Sequence, residues 1–561
     1  MRPSGRYGAR VKTLLDYAQD HEQAAPDRIY LTQPVGGDAV IEYSWRRVMD
    51  EARRMATHLT TMGLSPGDKV AILSKNCAHF IMAELAIWLG GYTTVAIFPT
   101  ESEKTVRYVL EHSEAKALFV GKLDDWPSQE PGVPDGVKKI ALPLAPKTQL
   151  PKWDDIIART EPLMGRVTRP PSDVSMLVYT SGSTGEPKGV MHSFGSVTAG
   201  GEGLSKLYGI TPDDRLFSYL PLAHVYERAL VGACSMVSGA HVFFADSLDT
   251  FLADLRRAKP TIFASVPRLW LKFQQGVFTK MPPGRLDMLL SIPIVKGIIA
   301  KRVLTGLGLE SVRLAASASA PIPAELIAWY RRLGLNLLEG YGMSEDFGYS
   351  HGSTVEKRRS GYVGIPYPGV DVRISEEGEV QVRSPARMIG YYKRPDLDAE
   401  VFTEDGYFKT GDRGERAPEG LLKITGRVKE LFKTAKGKYV APAPIENKLN
   451  EHPRIELSCV SGVGMPSAYA LVVLAEDIRP KLGDAAVRAQ VESELATWLD
   501  SVNQDLSAYE QLQMIVVAKE PWTIENGMLT PTMKIKRARI EAAVEPLLEG
   551  WFAKKSKVVW A

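Results

Sequence analysis

The chain has 561 residues, of which 44% are hydrophobic and 24% are charged. This length suffices for several folding units and a large buried core, so a small disulfide-stabilised fold is excluded. The 69 Lys and Arg residues nearly balance the 66 Asp and Glu residues, which excludes both a basic field for nucleic acid and an acidic excess typical of disorder.

The first 21 residues start with basic side chains but contain no apolar stretch long enough for a signal peptide. Cys77, Cys234 and Cys459 are far apart and form no CxxC pair, which favours three core thiols in a reducing compartment. The uncharged run at 229–245 contains Gly, Ser and His, so it does not fit a membrane span of ~20 residues. These features predict a cytoplasmic protein.

Short apolar, β-rich runs alternate with helical patterns along most of the chain. Between two such runs, Val106, Val109 and Leu110 have the i, i+3, i+4 spacing of an amphipathic helix. Strands that alternate with helices predict an α/β fold with covered sheets. The predicted strands are 69–73, 93–98, 117–120, 176–180, 241–245 and 261–266.

Residues 121–171 differ from the rest in composition. They include nine prolines in 51 residues, well above the usual ~5%. Proline at this density interrupts helices and central strands, so the segment is predicted to be a surface connection.

A glycine- and hydroxyl-rich segment, YTSGSTGEPKGV (179–190), follows the predicted strand 176–180. Glycines let backbone amides approach an anion, hydroxyls add donors, and Lys188 adds positive charge. The Walker pattern GxxxxGKS or GxxxxGKT is not matched, because Lys188 follows Pro187. The segment predicts a phosphate-binding loop. Its candidate residues are Thr180, Ser181, Gly182, Ser183, Thr184, Gly185 and Lys188.

From this loop onward, the motifs resemble, in order, those of the AMP-forming acyl-adenylate synthetases, a family of acyl-CoA ligases, luciferases and peptide-synthetase adenylation domains. Parts of them, such as LPLAHVYER and TPTMKIKR, resemble the long-chain fatty acyl-CoA synthetase branch. The motifs are LPLAHVYER (220–228), SVPRLWLKF (265–273), GYGMSE (340–345), YFKTGD (407–412), GRVKELFKTAKGKYVAPAPIE (426–446) and LTPTMKIKR (529–537).

The resemblance implies that a fatty-acid carboxylate attacks the α-phosphorus of ATP, and that CoA then accepts the acyl group. Such a site brings two anions together, so it needs cations and preorganised donors more than a base. ATP, Mg²⁺ and CoA are the implied cofactors, and no nucleic acid is involved. Ser181, Thr184 and Lys188 are implied to hold the β- and γ-phosphates, and Thr184 with Glu345 to hold Mg²⁺.

By the same resemblance, Tyr341 stacks on adenine, the Ser344 hydroxyl meets the α-phosphate and Glu345 helps to hold the metal. Family members commonly have Thr where Ser344 stands. Asp412 is implied to accept the ribose hydroxyls, and Arg427 to contact the ribose region. The remaining candidates around the nucleotide are Ser317, Ala318, Gly340, Gly342 and Met343.

His224 has two interpretations of similar weight. It is either a core histidine or, as the resemblance implies, a residue beside the acyl carboxylate. The Ala-, Gly- and Ser-rich run 229–239 is predicted to line the acyl pocket.

The resemblance further implies a large domain, 1–427, and a small mobile α+β domain, 428–561. Lys429 occupies the hinge position between two poses of the small domain. The loop with Gly437 and Lys438 either lines the CoA channel or is a solvated turn, and Arg427 and Lys438 are candidate contacts of the CoA phosphates. Lys534 is the predicted catalytic lysine, with Met533 where the family usually has Gly; Lys536 is its rival.

The segment 285–301 is apolar with isolated basic residues. A buried helix pair is favoured over weak peripheral contact with the inner face of a membrane.

Three alternatives to a fatty acid–CoA ligase stay open. They are a CoA ligase for aromatic or short-chain acids, an enzyme that loads a carrier protein in trans, and an inactive lipid- or nucleotide-binding relative. The presence of Glu345, Asp412 and Lys534 counts against the last. Chain length of the substrate and oligomeric state are not encoded in these motifs.

Overall fold

A computed structural model describes residues 11–180, 186–435, 438–530 and 533–561. The strands are β1 (Ile29–Pro34), β2 (Val40–Ser44), β3 (Lys69–Leu73), β4 (Thr93–Ile97), β5 (Ala117–Val120), β6 (Lys138–Ala141), β7 (Val174–Thr180), β8 (Lys188–Ser193), β9 (Arg215–Ser218), β10 (His241–Phe244), β11 (Ile262–Ser265), β12 (Leu314–Ser317), β13 (Leu337–Tyr341), β14 (His351–Gly352), β15 (Ile365–Pro366), β16 (Asp371–Ile374), β17 (Glu379–Arg383), β18 (Gly390–Tyr391), β19 (Phe408–Arg416), β20 (Leu422–Arg427), β21 (Phe432–Lys433), β22 (Tyr439–Val440), β23 (Ile455–Ser461), β24 (Ala468–Leu474), β25 (Leu512–Val517) and β26 (Val558–Trp560). The α-helices are α1 (Leu14–Ala24), α2 (Trp45–Thr60), α3 (Ala78–Leu89), α4 (Glu103–Ser113), α5 (Trp126–Gln129), α6 (Trp153–Arg159), α7 (Phe194–Leu207), α8 (Val225–Glu227), α9 (Cys234–Ser238), α10 (Phe251–Ala258), α11 (Pro267–Lys280), α12 (Pro283–Ser291), α13 (Pro293–Leu307), α14 (Ala324–Arg332), α15 (Pro395–Val401), α16 (Pro442–Leu449), α17 (Ala485–Gln504), α18 (Arg537–Val544) and α19 (Leu548–Ala553).

Two large, mostly parallel sheets form the first part of the chain. Over the described residues, one has the strand order β15-β14-β13-β12-β11-β9-β10-β1-β2 and the other β18-β8-β7-β4-β3-β5-β6. In the first sheet, β11, β12 and β13 run parallel. Their carboxyl ends therefore meet at one edge, which is where open α/β sheets bind ligands.

Helix α3 lies between these two sheets. It contacts β1 of the first sheet and β3 and β4 of the second, and all of its residues are buried. Its sequence, AHFIMAELAIWL, is apolar except for His79 and Glu84, which are paired with buried side chains, as expected for a helix with no solvent-facing surface. This helix thus joins the two sheets through one hydrophobic core, as the predicted α/β class requires.

The predicted strands all occur, with ends that differ by at most two residues. The predicted amphipathic helix is α4, whose Val106, Val109 and Leu110 are buried; the Ser102 hydroxyl caps it by accepting from the amide of Thr105. The three cysteines are buried and free.

The prediction for residues 121–171 was wrong in part. The segment contains α5, α6 and the strand β6, which pairs in parallel with β5. Trp126 and Trp153 are buried, and the Trp153 indole donates to the Glu51 carboxylate over 3.0 Å. Its prolines lie between these elements or in the first turn of α5, where a missing amide proton costs nothing.

The segment 285–301 forms the predicted helix pair, α12 and α13, but the pair is not buried. One face packs on the core through residues such as Leu286 and Leu290, whereas Ile294 and Ile298 are 86% and 66% exposed. No helix in the described part of the chain is long and apolar enough to cross a membrane.

The last part of the chain is smaller and has its own hydrophobic cores. An antiparallel sheet of order β16-β17-β19-β20 precedes it. After the short β21–β22 pair, the sheet β23-β24-β25-β26 packs against α16 and α17 through residues such as Ile445, Val472 and Leu495. Helix α16 also contacts β20, so the small part lies directly beside the strand that precedes it.

Candidate active site

The predicted phosphate loop connects two antiparallel strands. β7 ends at Thr180 and β8 begins at Lys188, and these two residues face each other in register. Lys188 Nζ lies 5.4 Å from the ring centroid of Tyr391, a cation–π distance. The predicted residues Ser181, Gly182, Ser183, Thr184 and Gly185 lie outside the described residues.

Glu345 reaches the same tyrosine from the opposite sheet. It lies in a short 3₁₀ turn, Ser344–Asp346, just after β13. The Tyr391 hydroxyl donates to Glu345 Oε1 over 2.7 Å. No donor among the described residues bonds to Glu345 Oε2. Tyr391 therefore aligns Lys188 and Glu345 and leaves one carboxylate oxygen available.

Two buried side chains hold the 3₁₀ turn in place. His192 Nε2 donates to the Ser344 carbonyl over 2.7 Å, and burial lowers the pKa of His192 to about 4, so the ring is neutral at pH 7. Asp346 Oδ1 accepts from the Met343 amide over 2.8 Å, and burial raises the pKa of Asp346 to about 7. Both side chains bond to backbone groups of the turn. The Ser344 hydroxyl takes no part in these two bonds.

Gly342 is required by close packing. A Cβ at this position would lie 2.6 Å from the carbonyl carbon of Gly348, closer than real Cβ atoms come. Gly340 has more room, since its nearest neighbour, the Tyr367 hydroxyl, would be 3.6 Å away.

The carboxyl ends of β12 and β13 bring the adenine candidates together. Ser317 is the last residue of β12 and pairs in register with Glu339, one residue before Gly340. The buried Ser317 hydroxyl has no hydrogen-bond partner among the described residues. The Ala318 amide donates to the Ser265 carbonyl. This edge presents small side chains and one unsatisfied hydroxyl, which suits a flat polar ring.

Asp412 is held by two donors from different strands. The Tyr341 hydroxyl donates to Asp412 Oδ2 over 2.7 Å, and Arg427 Nε donates to Oδ1 over 2.8 Å. Asp412 and Arg427 face each other on β19 and β20. Partial desolvation of the half-exposed Arg427 side chain opposes its charge, but the Asp412 carboxylate outweighs this effect and raises the arginine pKa. Burial and the same carboxylate raise the pKa of Tyr341 well above its usual value.

The backbone at Met533 and Lys534 is hydrogen-bonded to Thr530. The Met533 amide donates to the Thr530 carbonyl, and the Lys534 amide donates to Thr530 Oγ1 over 3.1 Å. Met533 has φ = 62°, in the left-handed region that glycine adopts most easily.

Lys534 is exposed to solvent, and its side chain lies within electrostatic range of the nucleotide candidates. Desolvation by the surrounding protein, and then the charge of Arg427, lower its pKa, and nearby carboxylates oppose the effect. These carboxylates are Asp412, Glu345 and Glu430. The charges of the predicted nucleotide residues therefore act on the predicted catalytic lysine, whose role stays a prediction.

His224 lies within electrostatic range of Lys534, and its imidazole is neutral. Its Nδ1 accepts from the Tyr226 amide over 3.2 Å, which leaves the proton on Nε2. Burial and the charge of Lys534 lower the pKa of His224 to about 3. The run 229–239 beyond it is largely buried in helical turns; its role as a pocket lining stays a prediction.

Not every candidate joins this cluster. Lys429 is exposed in the 3₁₀ turn Val428–Glu430, directly after β20. Lys438 is exposed between β21 and β22, and Gly437 lies outside the described residues. The charge of Lys536 acts on Glu101 of the large region.

Sequence reasoning missed several residues that shape the site. Tyr391 stands 46 positions after Glu345 and His192 stands 152 before Ser344, so no local pattern connects them with their partners. Glu430 was within a recognised motif but was given no role. The sequence signal for such a residue was the histidine His192 shortly after the predicted phosphate loop.

Comparison with known proteins identifies the family. Residues 18–392 match the model of the AMP-binding enzyme family, and residues 430–556 match the C-terminal domain of AMP-binding enzymes. The long-chain-fatty-acid–CoA ligase FadD15 of Mycobacterium bovis is 30% identical, over 92% of this chain and 93% of its own. Long-chain-fatty-acid–CoA ligase 5 of Rattus norvegicus is 27% identical, over 89% and 82%.

Solved structures share the fold. The anthranilate CoA ligase AuaEII, in complex with anthranoyl-AMP, has a TM-score of 0.77 at 21% identity and covers 96% of this chain and 98% of its own. The A-PCP didomain of carboxylic acid reductase from Segniliparus rugosus, in complex with AMP, has a TM-score of 0.80 at 23% identity, over 98% and 83%. With two thirds of its length matching one family model, the chain belongs to the AMP-binding enzyme family.

Proposed function

We propose that this protein activates a medium- or long-chain fatty acid with ATP and transfers the acyl group to CoA. In the first half-reaction, a carboxylate oxygen bonds to the α-phosphorus of ATP and pyrophosphate leaves. In the second, the CoA sulfur bonds to the acyl carbon and AMP leaves. The carboxylates of Asp412 and Glu345, each held by a hydrogen bond at the strand ends and acting on Lys534 of the small region, carry the proposal.

The adenylation step needs positive charge where two anions meet. Lys534 would bridge the acyl carboxylate and the α-phosphate, and these ligands would favour its charged form. As charge builds up on the α-phosphate oxygens, one well-placed donor contributes about 10²–10³ in rate. The neutral His224 would donate a hydrogen bond from Nε2–H to the acyl carboxylate. Because the ring is neutral, it adds no second cation beside Lys534.

The nucleotide would lie along the strand ends. Adenine would pack against Ser317 and Ala318 with Tyr341 on its other face, and the Asp412 carboxylate would accept the ribose hydroxyls. Both oxygens of Asp412 already accept one bond each, and each has a further lone pair. Arg427 would hold that carboxylate in place.

A magnesium ion fits the donor set at Glu345. Its Oε1 accepts from Tyr391, whose ring also contacts Lys188, and its Oε2 has no hydrogen-bond donor among the described residues. Carboxylate and hydroxyl oxygens are ligands that Mg²⁺ prefers, and Thr184 is proposed as the second. Bound there, the ion would screen the phosphate charge.

The thioester step calls for a second pose of the small domain, which we place at 428–561. β20 ends at Arg427, and Lys429 is exposed in the next turn. An exposed lysine suits a hinge because its charge need not be desolvated in either pose. Rotation about this point would withdraw Lys534 and bring Gly437 and Lys438 toward the acyl-adenylate, where Lys438 and Arg427 would contact the CoA phosphates.

Pyrophosphate release over a panel of acids, with and without CoA, tests the function. We expect release with fatty acids of medium or long chain, and acyl-CoA formation when CoA is added. A preference for aromatic or short acids would replace the substrate class. Adenylation without thioester formation from CoA would point to a carrier-protein acceptor, and no release with any acid would refute the proposal.

A further inference from the structure

The outer face of the α12–α13 pair is apolar and open to solvent. Met288 is 58% exposed, Ile292 at the turn 41%, Ile294 86% and Ile298 66%. Large aliphatic side chains are seldom left in water as a group, because each exposed one forgoes the gain of burial. Four together at the tip of one helix pair indicate a surface that is covered in function.

The two faces of α13 are separated by helical spacing. Ile299 and Val303 pack against the hydrophobic core, as does Leu307. Ile294 and Ile298, one turn apart, lie on the opposite side, and Lys301 and Arg302 follow on the same side one turn later. The exposed isoleucines are therefore not part of the core and can be replaced without opening it.

Basic side chains predominate in the stretch of chain that contains this apolar tip. Between positions 272 and 302 the chain has six basic side chains and one acidic side chain, Asp287, a net charge of +5. Asp287 is already paired with Arg332 over 2.6 Å. The six basic residues are Lys272, Lys280, Arg285, Lys296, Lys301 and Arg302, and all are exposed.

We propose that the α12–α13 tip docks this protein on anionic lipid bilayers, with Ile294 and Ile298 inserted at the boundary of the acyl chains and the basic side chains against the lipid phosphates. Apolar side chains together with basic ones are the combination that binds anionic interfaces. A second copy of the chain is a poor occupant, because two surfaces of the same positive charge would repel. The inference goes beyond the reaction and does not depend on it.

Vesicle flotation tests the docking surface. The probes are vesicles of phosphatidylcholine alone and of phosphatidylcholine mixed with phosphatidylglycerol, at low and high salt. We expect the wild type to float with the mixed vesicles and to be released by salt, since screening shortens the reach of the basic side chains. The double variant Ile294→Asp/Ile298→Asp should lose about tenfold or more in partitioning.

Two further variants make the outcome specific. Met164→Asp replaces a residue that is 83% exposed beside α2 and should float like the wild type. Lys301→Glu/Arg302→Glu should lose the preference for anionic vesicles. The circular dichroism spectrum and thermal unfolding of every variant should match those of the wild type, which shows that the variants fold.

Three results would overturn the proposal. One is equal flotation of the wild type and Ile294→Asp/Ile298→Asp. Another is equal binding of the wild type to vesicles with and without phosphatidylglycerol. The third is a double variant that changes the sedimentation of the free protein from oligomer to monomer without changing flotation, which would assign the surface to a second copy.

Discussion

Lys534 and Lys536 are separated by one residue, yet different carboxylates act on them. The charges of Asp412 and Glu345, at the nucleotide cluster, oppose the lowering of the Lys534 pKa. The charge of Lys536 instead opposes the raising of the Glu101 pKa. These surroundings support the prediction that Lys534, and not Lys536, is the lysine that acts on ATP.

Replacing Lys534 with Ala is expected to slow adenylation by about 10²–10³ and to leave the conversion of supplied acyl-AMP and CoA near the wild-type rate. The physical reason is that only the first half-reaction needs this cation at the α-phosphate. Both rates are measured separately, by pyrophosphate release and by acyl-CoA formation. Lys536→Ala is the matched control and should retain adenylation. Equal losses in both half-reactions, or the same phenotype in Lys536→Ala alone, would contradict the assignment.

Removal of the Asp412 carboxylate should weaken the binding of ATP without changing acyl-chain preference. Asp412→Ala leaves Arg427 and Tyr341 without their shared acceptor and removes the proposed ribose acceptor, a loss of ~1–3 kcal/mol, or about 5- to 150-fold in apparent affinity. Glu415→Ala, on the same strand but exposed, controls for the lost charge. The measurements are ATP affinity and the chain-length profile; an altered profile with intact ATP affinity would show that Asp412 serves the acyl group instead.

At the scale of elements, a buried network holds the loop between β9 and α8 that carries His224. Glu227 Oε1 accepts from the Ser218 hydroxyl over 2.7 Å and from the Tyr219 amide over 3.0 Å. Asn76 donates to the same oxygen, and its own Oδ1 accepts from the Leu222 amide. Burial raises the pKa of Glu227 to about 8, so the side chain is a neutral acid in the folded protein at pH 7.

This buried acid predicts a pH dependence of stability. A carboxyl group whose pKa rises from 4.5 to about 8 on folding contributes fully below pH 4.5, and the contribution is lost as the pH rises toward 8. Glu227→Gln keeps the acceptor oxygen and cannot ionise. The unfolding free energy of the wild type relative to this variant should fall by about 1.4 kcal/mol per pH unit between pH 5 and 8. Denaturant titrations at several pH values measure this difference, and parallel curves would show that Glu227 is not a buried neutral acid.

The sequence predicted helices and strands well where the hydrophobic residues followed a single helical or strand pattern. The apolar strands and the amphipathic α4 were identified because each has a single clear repeat. Residues 121–171 were misjudged because proline content was averaged over the segment, whereas the prolines sit between elements and Trp153 packs inward. The burial of α12 and α13 was overestimated because apolar composition alone does not reveal which face meets a core.

In the candidate site, too, local motifs were predictable and long-range contacts were not. Motifs indicated Asp412, Glu345 and Lys534, and the charges of the two carboxylates act on Lys534 although Glu345 precedes it by more than 180 residues. The pairing of Glu345 with Tyr391, and of Ser344 with His192, depends on how strands from two sheets meet. A single sequence does not encode such long-range register in any local pattern.

At the scale of the molecule, an ion pair connects the large region to the small one. Arg268, in α11, pairs with Glu456, in β23. The same Glu456 carboxylate is bonded by Arg479 over 2.9 Å, within the small region. In this structure Lys534 lies within electrostatic range of the nucleotide cluster, so the Arg268–Glu456 pair belongs to the arrangement proposed for adenylation. It would have to break when the small domain rotates.

Arg268→Gln should therefore shift the balance of poses away from adenylation. A half-exposed ion pair contributes ~0.2–1 kcal/mol, so adenylation is expected to slow by about 1.4- to 5-fold, since 1.4 kcal/mol corresponds to tenfold. Conversion of supplied acyl-AMP and CoA should be unchanged or faster by up to the same factor. Arg479→Gln removes a cation from the same carboxylate but leaves the pair between the two regions, so its adenylation rate should stay near the wild-type value. If both variants slow adenylation equally, or if Arg268→Gln slows both half-reactions, the pair is a structural contact and does not bias the two poses.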